Sequence, residues 1–268
     1  MDRGRRGKER AAVTVTKEEL VQVALEVTGM TKGQWDALHE SMKSDATMNL
    51  IMKQDWNARP RDSEEAIREY YRTSHIWFVN TWNHGVGALL AMAAGQRGDL
   101  VGWCRKFAET LRAPGGKILD YGGGFFKDTW PLATAGYKVE VAEVRGPVTE
   151  FLRRFISLAK LEGKLGIVEV DSEVPIKDTY HGIVCFETLE HLLHPEALTA
   201  HLHQHLRPGG LFSFSATFGA PEHAPYHVAS NAPLGDWSVW SEIMTKIGFS
   251  PCWEDSAGSG TKIWRSGS

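Results

Sequence analysis

The fold of this chain is decided by the stretch Leu119-Asp120-Tyr121-Gly122-Gly123-Gly124-Phe125-Phe126. An apolar run that begins at Lys117 ends in an acid and passes directly into three glycines. Because glycine has no Cβ and tolerates positive φ, a turn from strand to helix at this point can bring its backbone amides close to a ligand. A second short strand over residues 138–143 ends in Glu143, and in a βαβ unit a carboxylate at that position faces a ribose. The two signals together indicate a nucleoside cofactor.

The glycine turn is not built for a pyrophosphate. The fingerprint G-x-G-x-x-G is absent, since Phe125 and Phe126 follow the third glycine. Asp120 would repel a phosphate, whereas it can accept a hydrogen bond from the ammonium group of a nucleoside that carries an amino acid. The turn therefore favours such a nucleoside over a dinucleotide.

Further segments follow the turn in a regular order. They are Glu143 after the second strand, Val170-Asp171-Ser172 at the end of a third, Cys185-Phe186-Glu187-Thr188-Leu189-Glu190-His191 after a fourth and Leu206-Arg207-Pro208-Gly209-Gly210 before a fifth. With these motifs, residues 115–265 resemble the class I S-adenosylmethionine-dependent methyltransferases. The resemblance implies an α/β fold with a Rossmann-like, seven-stranded methyltransferase sheet. The chain departs from the family at Phe126, where a glycine is common, and this ring would shape or crowd the methionine end of the cofactor pocket.

The resemblance also implies the contacts of the cofactor, S-adenosyl-L-methionine. The predicted cofactor-binding residues are Asp120, Tyr121, Gly122, Gly123, Gly124, Glu143, Val144, Asp171, Ser172 and Phe186. Asp120 and the glycines would contact the methionine part, and Glu143 the ribose hydroxyls. Asp171 and Ser172 would contact the adenine, with Phe186 packed beside the ring.

The composition is that of an ordinary globular protein. The 268 residues are 42% hydrophobic, which is enough for a proper core, and the net charge is −3. This charge gives no general attraction to nucleic acid, so we expect a small-molecule acceptor. Three cysteines without paired spacing argue for a reducing compartment, and neither a signal peptide nor a membrane-spanning stretch is visible. We therefore expect a cytoplasmic protein without a membrane partner; the sequence leaves its oligomeric state open.

Two domains are predicted, with a boundary in the Pro-Gly-Gly segment near residue 114. Residues 1–114 form a helical cap whose basic tip, residues 1–12, is disordered, and residues 115–268 form the cofactor-binding domain. In the cap, capping boxes open helices at Thr16 and Thr31, and Asp62 opens a long helix towards residue 80. Two more helices follow, ending near residue 111.

The second domain alternates strands and helices, which requires a parallel sheet covered on both faces. Strands are predicted over residues 117–121, 138–143, 166–170, 182–186, 211–216, 250–253 and 262–265, and helices over 127–135, 147–163, 195–206 and 237–247.

The long cap helix carries many aromatic side chains, more than one face of a helix can bury. Most of them are core residues by their spacing. The remaining rings suit a substrate wall, because N-terminal helices often cover the cofactor in the families that the chain resembles. The predicted substrate contacts are Tyr71, Trp77, Trp82 and His84.

The segment after the fourth strand carries the candidate chemistry. If a helical turn begins there, Glu187, Glu190 and His191 share one face at positions i, i+3 and i+4. This spacing resembles the metal motif of small-RNA 2′-O-methyltransferases and of ubiquinone-pathway O-methyltransferases. A fourth ligand would come from His227 or His223 in the loop after the fifth strand, and the donor set suits magnesium, manganese or iron.

The same segment also fits a site without metal. In many metal-free members of the superfamily, the glutamate and the histidine of this motif orient each other. The catalytic candidates are then His191, His227 and Glu187, as groups that take a proton from the acceptor. The cluster of His201, His203 and His205 more simply occupies the solvated side of its helix.

These observations predict an S-adenosylmethionine-dependent methyltransferase that acts on a small-molecule acceptor by in-line transfer. Two other classes stay open, namely a metal-dependent RNA 2′-O-methyltransferase and an enzyme that cyclises or cleaves the cofactor without methylation. A non-catalytic binding subunit is a third reading, because this fold also serves as a scaffold.

Overall fold

Seven strands form one sheet in the computed structural model, which describes residues 15–100, 102–170, 176–218, 227–254 and 261–267. The strands are β1 (Lys117–Tyr121), β2 (Lys138–Glu143), β3 (Leu165–Glu169), β4 (Tyr180–Phe186), β5 (Leu206–Ser215), β6 (Phe249–Glu254) and β7 (Lys262–Ser266). Their order across the sheet is β3-β2-β1-β4-β5-β7-β6. The first five are parallel, while β7 runs antiparallel to both of its neighbours. The predicted seven-stranded α/β fold is confirmed.

The strand order places a crevice beside β1. The chain moves outward to β2 and β3 on one side of β1 and then crosses to β4 on the other side. At such a switch point the carboxyl ends of the strands leave a gap in which ligands bind. Asp120 pairs with Val141 of β2 and with Val184 of β4, so the glycine turn after β1 lies at the centre of this gap.

Ten helices accompany the sheet in the described ranges. They are α1 (Lys17–Thr28), α2 (Lys32–Ser41), α3 (Asp45–Asn57), α4 (Glu64–Thr73), α5 (His75–Ala93), α6 (Gly102–Leu111), α7 (Trp130–Thr134), α8 (Pro147–Leu158), α9 (Pro195–Gln204) and α10 (Trp237–Ile247). The predicted capping boxes are confirmed, since Thr16 caps α1 together with Glu19 and Thr31 caps α2 together with Gln34.

The prediction of one long helix from Asp62 towards residue 80 is wrong. Ser63 caps α4, which ends at Thr73. Ser74 is extended and caps α5, where its hydroxyl oxygen accepts a hydrogen bond from the backbone N–H of Trp77 at 3.0 Å. A serine side chain thus offers the backbone an alternative to a continuous helix. Helix α3 was not predicted as a separate element, because Thr47 stands where a capping box that starts at Ser44 would have Glu or Gln; Ser44 makes no side-chain capping bond in the structure.

Strand β5 begins earlier than its hydrophobic pattern indicates. The sequence predicts a helix up to residue 206 and the strand over residues 211–216, but Leu206 already pairs with Tyr180 of β4. The register shifts between Tyr180 and Gly182, so the Pro-Gly-Gly segment is an irregularity inside a strand. A proline in a strand is tolerated at such irregular positions.

The cap helices share their core with the sheet domain. Trp82 of α5 is 1% exposed and packs edge-on against Trp35 of α2 and Phe151 of α8, with centroid distances of 5.0 and 5.7 Å. At the surface, Arg154 of α8 binds Glu26 of α1 at 2.6 Å. The boundary near residue 114 stays a prediction, and the tip over residues 1–12 lies outside the described residues. In the part of the chain that the structure describes, no helix is long and apolar enough to cross a membrane.

Candidate active site

The glycine turn after β1 is closely packed from two sides. Gly122 has a φ of +70°, and a Cβ on it would lie 2.3 Å from the hydroxyl oxygen of Thr188. A Cβ on Gly123 would lie 2.2 Å from Cγ of Asp120. A larger residue at either position would therefore push the turn away from these side chains. Asp120 itself is buried beneath the turn, where it accepts a hydrogen bond from the hydroxyl of Thr129, and burial raises its pKa to about 7.

Phe126 has a left-handed backbone conformation, which is more common for glycine. Its φ is +58°, which is costly for a bulky residue, and its ring is fully buried in the apolar core. Contrary to the expectation that this ring shapes the methionine end of the pocket, the structure places it in the core and outside the cavity wall. Core packing of the ring offsets the strain of the backbone.

A cavity of about 350 Å³ opens at the carboxyl ends of the strands. The sheet and its turns contribute Tyr121, Gly122, Ala142, Glu143, Val144 and Val170. The segment after β4 and helix α9 contribute Glu187, Thr188, His191, Leu192, His194, Ala197, Leu198 and His201. The cap contributes Glu64, Ile67, Arg68 and Tyr71 from α4 and Trp77 from α5. The cavity is therefore walled by both halves of the chain.

Glu143 marks the end of the cavity beside β2. One of its carboxylate oxygens accepts a hydrogen bond from the backbone N–H of Val144 at 2.9 Å. Burial raises the pKa of Glu143 to about 7, and the N–H groups of Val144 and Gly124 oppose this rise. The carboxylate thus occupies the position that faces a ribose in a βαβ unit. A hydroxyl donor brought by a ligand would stabilise its charged form.

Glu187 marks the other end, beside β4. Its φ is +47°, and its carboxylate oxygens accept hydrogen bonds from the hydroxyls of Ser215 at 2.8 Å and Thr217 at 3.2 Å. Strands in a sheet lie about 4.8 Å apart, so two strand spacings across β1 separate Glu143 from Glu187 by roughly 10 Å. Non-glycine residues keep such a backbone only where their surroundings fix it, and such residues are concentrated at functional sites.

Three of the four predicted metal ligands converge. Glu190, His191 and His227 are buried, and one ligand atom of each lies within 4.8 Å of the others. Burial, followed by the charge of Glu187, raises the pKa of Glu190 well above its ordinary value, and burial lowers the pKa of His227. Glu187 lies outside this group. His223 lies outside the described residues.

The cap closes the β4 end with aromatic rings. Tyr71 and Trp77 pack edge to face at a centroid distance of 4.7 Å. The ring of His191 lies 6.1 Å from Tyr71 and 5.8 Å from Trp77, and the ring of His227 lies 5.1 Å behind it. These contacts place two predicted substrate residues directly beside two predicted catalytic histidines.

Helix α4 is tied to the segment before α9. The carboxylate of Glu64 accepts hydrogen bonds from the backbone N–H groups of Leu193 at 2.9 Å and His194 at 3.3 Å. This attachment holds the inner face of α4 over the cavity.

A family model described as a methyltransferase domain matches residues 94–250, which include the glycine turn and the acid at the end of β2. The chain belongs to the class I S-adenosylmethionine-dependent methyltransferases. The chain is also similar to solved structures, at 19% identity to the glycopeptide N-methyltransferase MtfA complexed with sinefungin (60% of this chain, 83% of that chain, TM-score 0.44). A second similar structure is the CurJ carbon methyltransferase, at 15% identity over 95% of this chain and 72% of that chain, with a TM-score of 0.47. A third is the [4+2]-cyclase SpnF, at 16% identity over 75% of this chain and 78% of that chain, with a TM-score of 0.49. A comparison with curated proteins gave no match.

The structure of the methyltransferase brings only part of the predicted cofactor set to the cavity. Tyr121, Gly122, Glu143 and Val144 line it. Asp120 supports the turn from below instead. Gly123 and Gly124 belong to the turn without lining the cavity, and Phe186 packs edge-on against Trp103 at 4.5 Å, away from it. Asp171 and Ser172 lie outside the described residues.

The predicted substrate residues also divide. Tyr71 and Trp77 line the cavity of the methyltransferase, whereas Trp82 and His84 do not. Trp82 is a core residue because it faces α2 and α8. His84 is exposed, and its Nδ1 lies 2.8 Å from the carbonyl oxygen of Asn80 in its own helix.

Sequence reasoning missed several residues of the cavity wall. The inner face of α4 contributes Glu64, Ile67 and Arg68 in addition to Tyr71, at the spacing i, i+3, i+4 and i+7. This spacing was readable from the sequence once the helix was begun at the correct cap. His201 also lines the cavity, so its assignment to the solvated side of α9 is wrong; the ring is half-buried.

Proposed function

We propose that this methyltransferase transfers the methyl group to a small molecule held between the cap and the end of β4. The observation that carries the proposal is the shared cavity, in which Tyr71 and Trp77 of the cap face the sheet that carries Glu143. Ligand cavities have volumes of about 300–1,000 Å³. The cavity, at about 350 Å³, lies at the lower end of this range, and the proposal assigns its β4 end to a small acceptor.

The residues of the cavity suit the two tasks of an in-line displacement, which are to hold the acceptor behind the methyl group and to remove its proton. Glu143 accepts from the ribose hydroxyls, and Gly122 lets the cofactor approach β1. His227 lies behind the cavity wall, with its ring 5.1 Å from that of His191; burial lowers its pKa, so the ring is neutral near pH 7 and able to accept a proton. His191 and Glu187 lie beside it as further groups that orient the acceptor.

Metal-assisted methylation of a hydroxyl is the second candidate, and the convergence of Glu190, His191 and His227 favours it. A carboxylate and two imidazoles fit iron(II) better than the predicted alternatives magnesium and manganese, which prefer oxygen ligands. A bound cation would lower the pKa of an acceptor hydroxyl. The fit is incomplete, since Glu187 is held by two hydroxyls outside the group.

Chelation distinguishes the two candidates. If methylation is metal-assisted, a chelator abolishes turnover and a divalent salt restores it. Glu190→Ala then loses the metal but still binds the demethylated cofactor. Full activity of the chelated protein, with no ion found by elemental analysis, would contradict the metal reading and leave His191 or His227 as the base.

A direct assay tests the proposed function itself. The protein is incubated with S-adenosylmethionine with and without acceptor mixtures, and the products are identified by mass spectrometry. Acceptor-dependent formation of the demethylated cofactor and a methylated small molecule supports methyl transfer. Consumption of the cofactor without any acceptor would instead indicate cyclisation or cleavage. RNA is the weaker acceptor because Arg68 is the one Lys or Arg that lines the cavity in the described part of the chain.

A further inference from the structure

Three rings form a corner at the β4 end of the cavity. Tyr71, Trp77 and His191, here called the aromatic corner, have centroids 4.7, 5.8 and 6.1 Å apart and interplanar angles of 69°, 74° and 70°. All three line the cavity. Because the rings are nearly perpendicular to one another, they present faces and edges in several directions to whatever enters. A cation near a ring face is attracted by the negative face of the ring.

One carboxylate of the same cavity wall has no lysine or arginine partner among the described residues. Glu187 is an exposed residue of the cavity wall; its carboxylate accepts hydrogen bonds from the hydroxyls of Ser215 and Thr217 and is hydrogen-bonded to the side chain of Glu190, and none of these groups brings a positive charge. Within the described ranges, no lysine or arginine forms an ion pair with Glu187. The basic side chain of the cavity, Arg68, is already paired with Glu65 of its own helix at 3.2 Å.

The other carboxylates of the cavity wall have different tasks. Glu64 accepts two backbone hydrogen bonds from the segment before α9. Glu143 accepts the N–H of Val144 at the opposite end of the cavity. Glu187 is therefore the acid left to meet the acceptor.

We propose that the acceptor is an amine, which enters the site as an ammonium ion between the aromatic corner and Glu187. This inference rests on the proposed methyl transfer and specifies its substrate class. A cation gains from both the rings and the carboxylate. A carboxylate or phosphate group at this place would be repelled by Glu187, and an uncharged alcohol would gain from neither interaction.

The reaction balances without a further reactant. The ammonium ion gives one proton to water, which frees the lone pair on its nitrogen. The lone pair forms the new bond to the methyl carbon, while the carbon–sulfur bond breaks and its electrons remain on sulfur as a neutral thioether. The product is a methylated ammonium ion, so the positive charge of the sulfonium ends on the acceptor nitrogen.

The experiment compares matched probes on the protein saturated with the demethylated cofactor and treated with a chelator. Phenethylamine, 2-phenylethanol and phenylacetate share one ring and differ in charge, and tetramethylammonium supplies a cation that cannot be methylated. Binding is followed through tryptophan fluorescence and calorimetry. We expect phenethylamine to bind at least about tenfold more tightly than the alcohol, with the carboxylate weaker still and tetramethylammonium competing. Equal binding of amine and alcohol, or a preference for phenylacetate, would overturn the proposal.

Two variants tie the preference to its residues. We expect Glu187→Gln to remove most of the preference for the amine over the alcohol while leaving binding of the demethylated cofactor intact. Trp77→Leu weakens the cations more than the alcohol, and it serves as the second test if Glu187→Gln folds poorly. The control is Glu196→Gln, an exposed acid of α9 outside the cavity wall. An unchanged amine preference in both test variants would overturn the assignment.

The outcome is separable from that of the proposed function. Failure to bind the demethylated cofactor contradicts methyl transfer itself, whereas cofactor binding without an amine preference contradicts only the substrate class. Addition of magnesium to the chelated protein completes the comparison. Tight, magnesium-dependent binding of an alcohol or a catechol in place of the amine would overturn the amine assignment in favour of the metal reading.

Discussion

Replacing Glu143 by glutamine is expected to weaken cofactor binding strongly. The carboxylate lies at the end of β2, half-buried in the cavity wall and already oriented by the N–H of Val144, so a ribose hydroxyl would donate to a charged acceptor. Hydrogen bonds to charged groups contribute about 1.5–3 kcal/mol. Because each 1.4 kcal/mol is a factor of ten, the Kd of S-adenosylhomocysteine should rise roughly 10- to 150-fold, as measured by calorimetry at pH 8.

The pH dependence supplies a second signature of the same carboxylate. The pKa of Glu143 in the cofactor-free protein is about 7. The ribose binds the ionised form, so affinity is present above this pKa and is lost as the pH falls through it. At pH 6 about a tenth of the groups are ionised, and the wild-type Kd should be about tenfold weaker than at pH 8. In Glu143→Gln this pH dependence should disappear.

The matched control is Glu169→Gln. Glu169 is the register partner of Glu143 on the neighbouring strand β3, but it pairs with Arg153 and does not line the cavity. We expect its Kd and pH profile to match those of the wild type. An unchanged Kd in Glu143→Gln, or the same pH slope in that variant and the wild type, would refute the assignment of the ribose to this carboxylate.

Three further predictions, two of them with a matched control variant, test the surroundings of the site. Because the pKa of Asp120 is about 7 in the folded protein, the wild type loses stability as the pH rises from about 4 to 7. The free energy of unfolding of Asp120→Asn, relative to the wild type, should therefore rise by up to about 4 kcal/mol between urea titrations at pH 4 and pH 8, and a constant difference would contradict this. Glu64→Ala should release S-adenosylhomocysteine about tenfold faster in stopped-flow fluorescence, because α4 loses its hydrogen bonds to the segment before α9. Glu69→Ala, on the exposed face of α4, should release it at the wild-type rate, and equal rates in the two variants would show that Glu64 does not hold α4 over the cavity. Trp82→Ala should lower the free energy of unfolding by about 3–5 kcal/mol, whereas His84→Ala should change it by less than about 0.5 kcal/mol and leave turnover intact. Loss of turnover in a stable His84→Ala protein would show that His84 contacts the substrate.

The sheet was predictable because its signals are local. The bounds of β1 and β2 agree with the prediction, since an apolar run that ends in an acid and glycines defines both the strand and its end. The capping boxes at Thr16 and Thr31 are equally local. The break at Ser74 was not predictable in this way. A serine that caps a new helix and a continuous helix differ by only a small free energy, and the packing of the helices decides between them.

The site was predictable only in part, because side-chain direction depends on packing between distant elements. Spacing alone placed Glu190 and His191 together, but it did not show that the carboxylate of Glu187 also accepts hydrogen bonds from the hydroxyls of Ser215 and Thr217. In the same way, the aromatic content of α5 did not reveal that Trp82 faces α2. These directions follow from how the cap rests on the sheet, which the sequence does not encode locally.

A crystal structure of the protein with S-adenosylhomocysteine bound would show directly where the ribose and the sulfur lie. We expect the ribose hydroxyls within hydrogen-bond distance of the Glu143 carboxylate and the sulfur directed towards Trp77 and His191, with open space between it and Glu187. A ribose bound elsewhere, or a sulfur that faces away from the aromatic corner, would contradict this prediction.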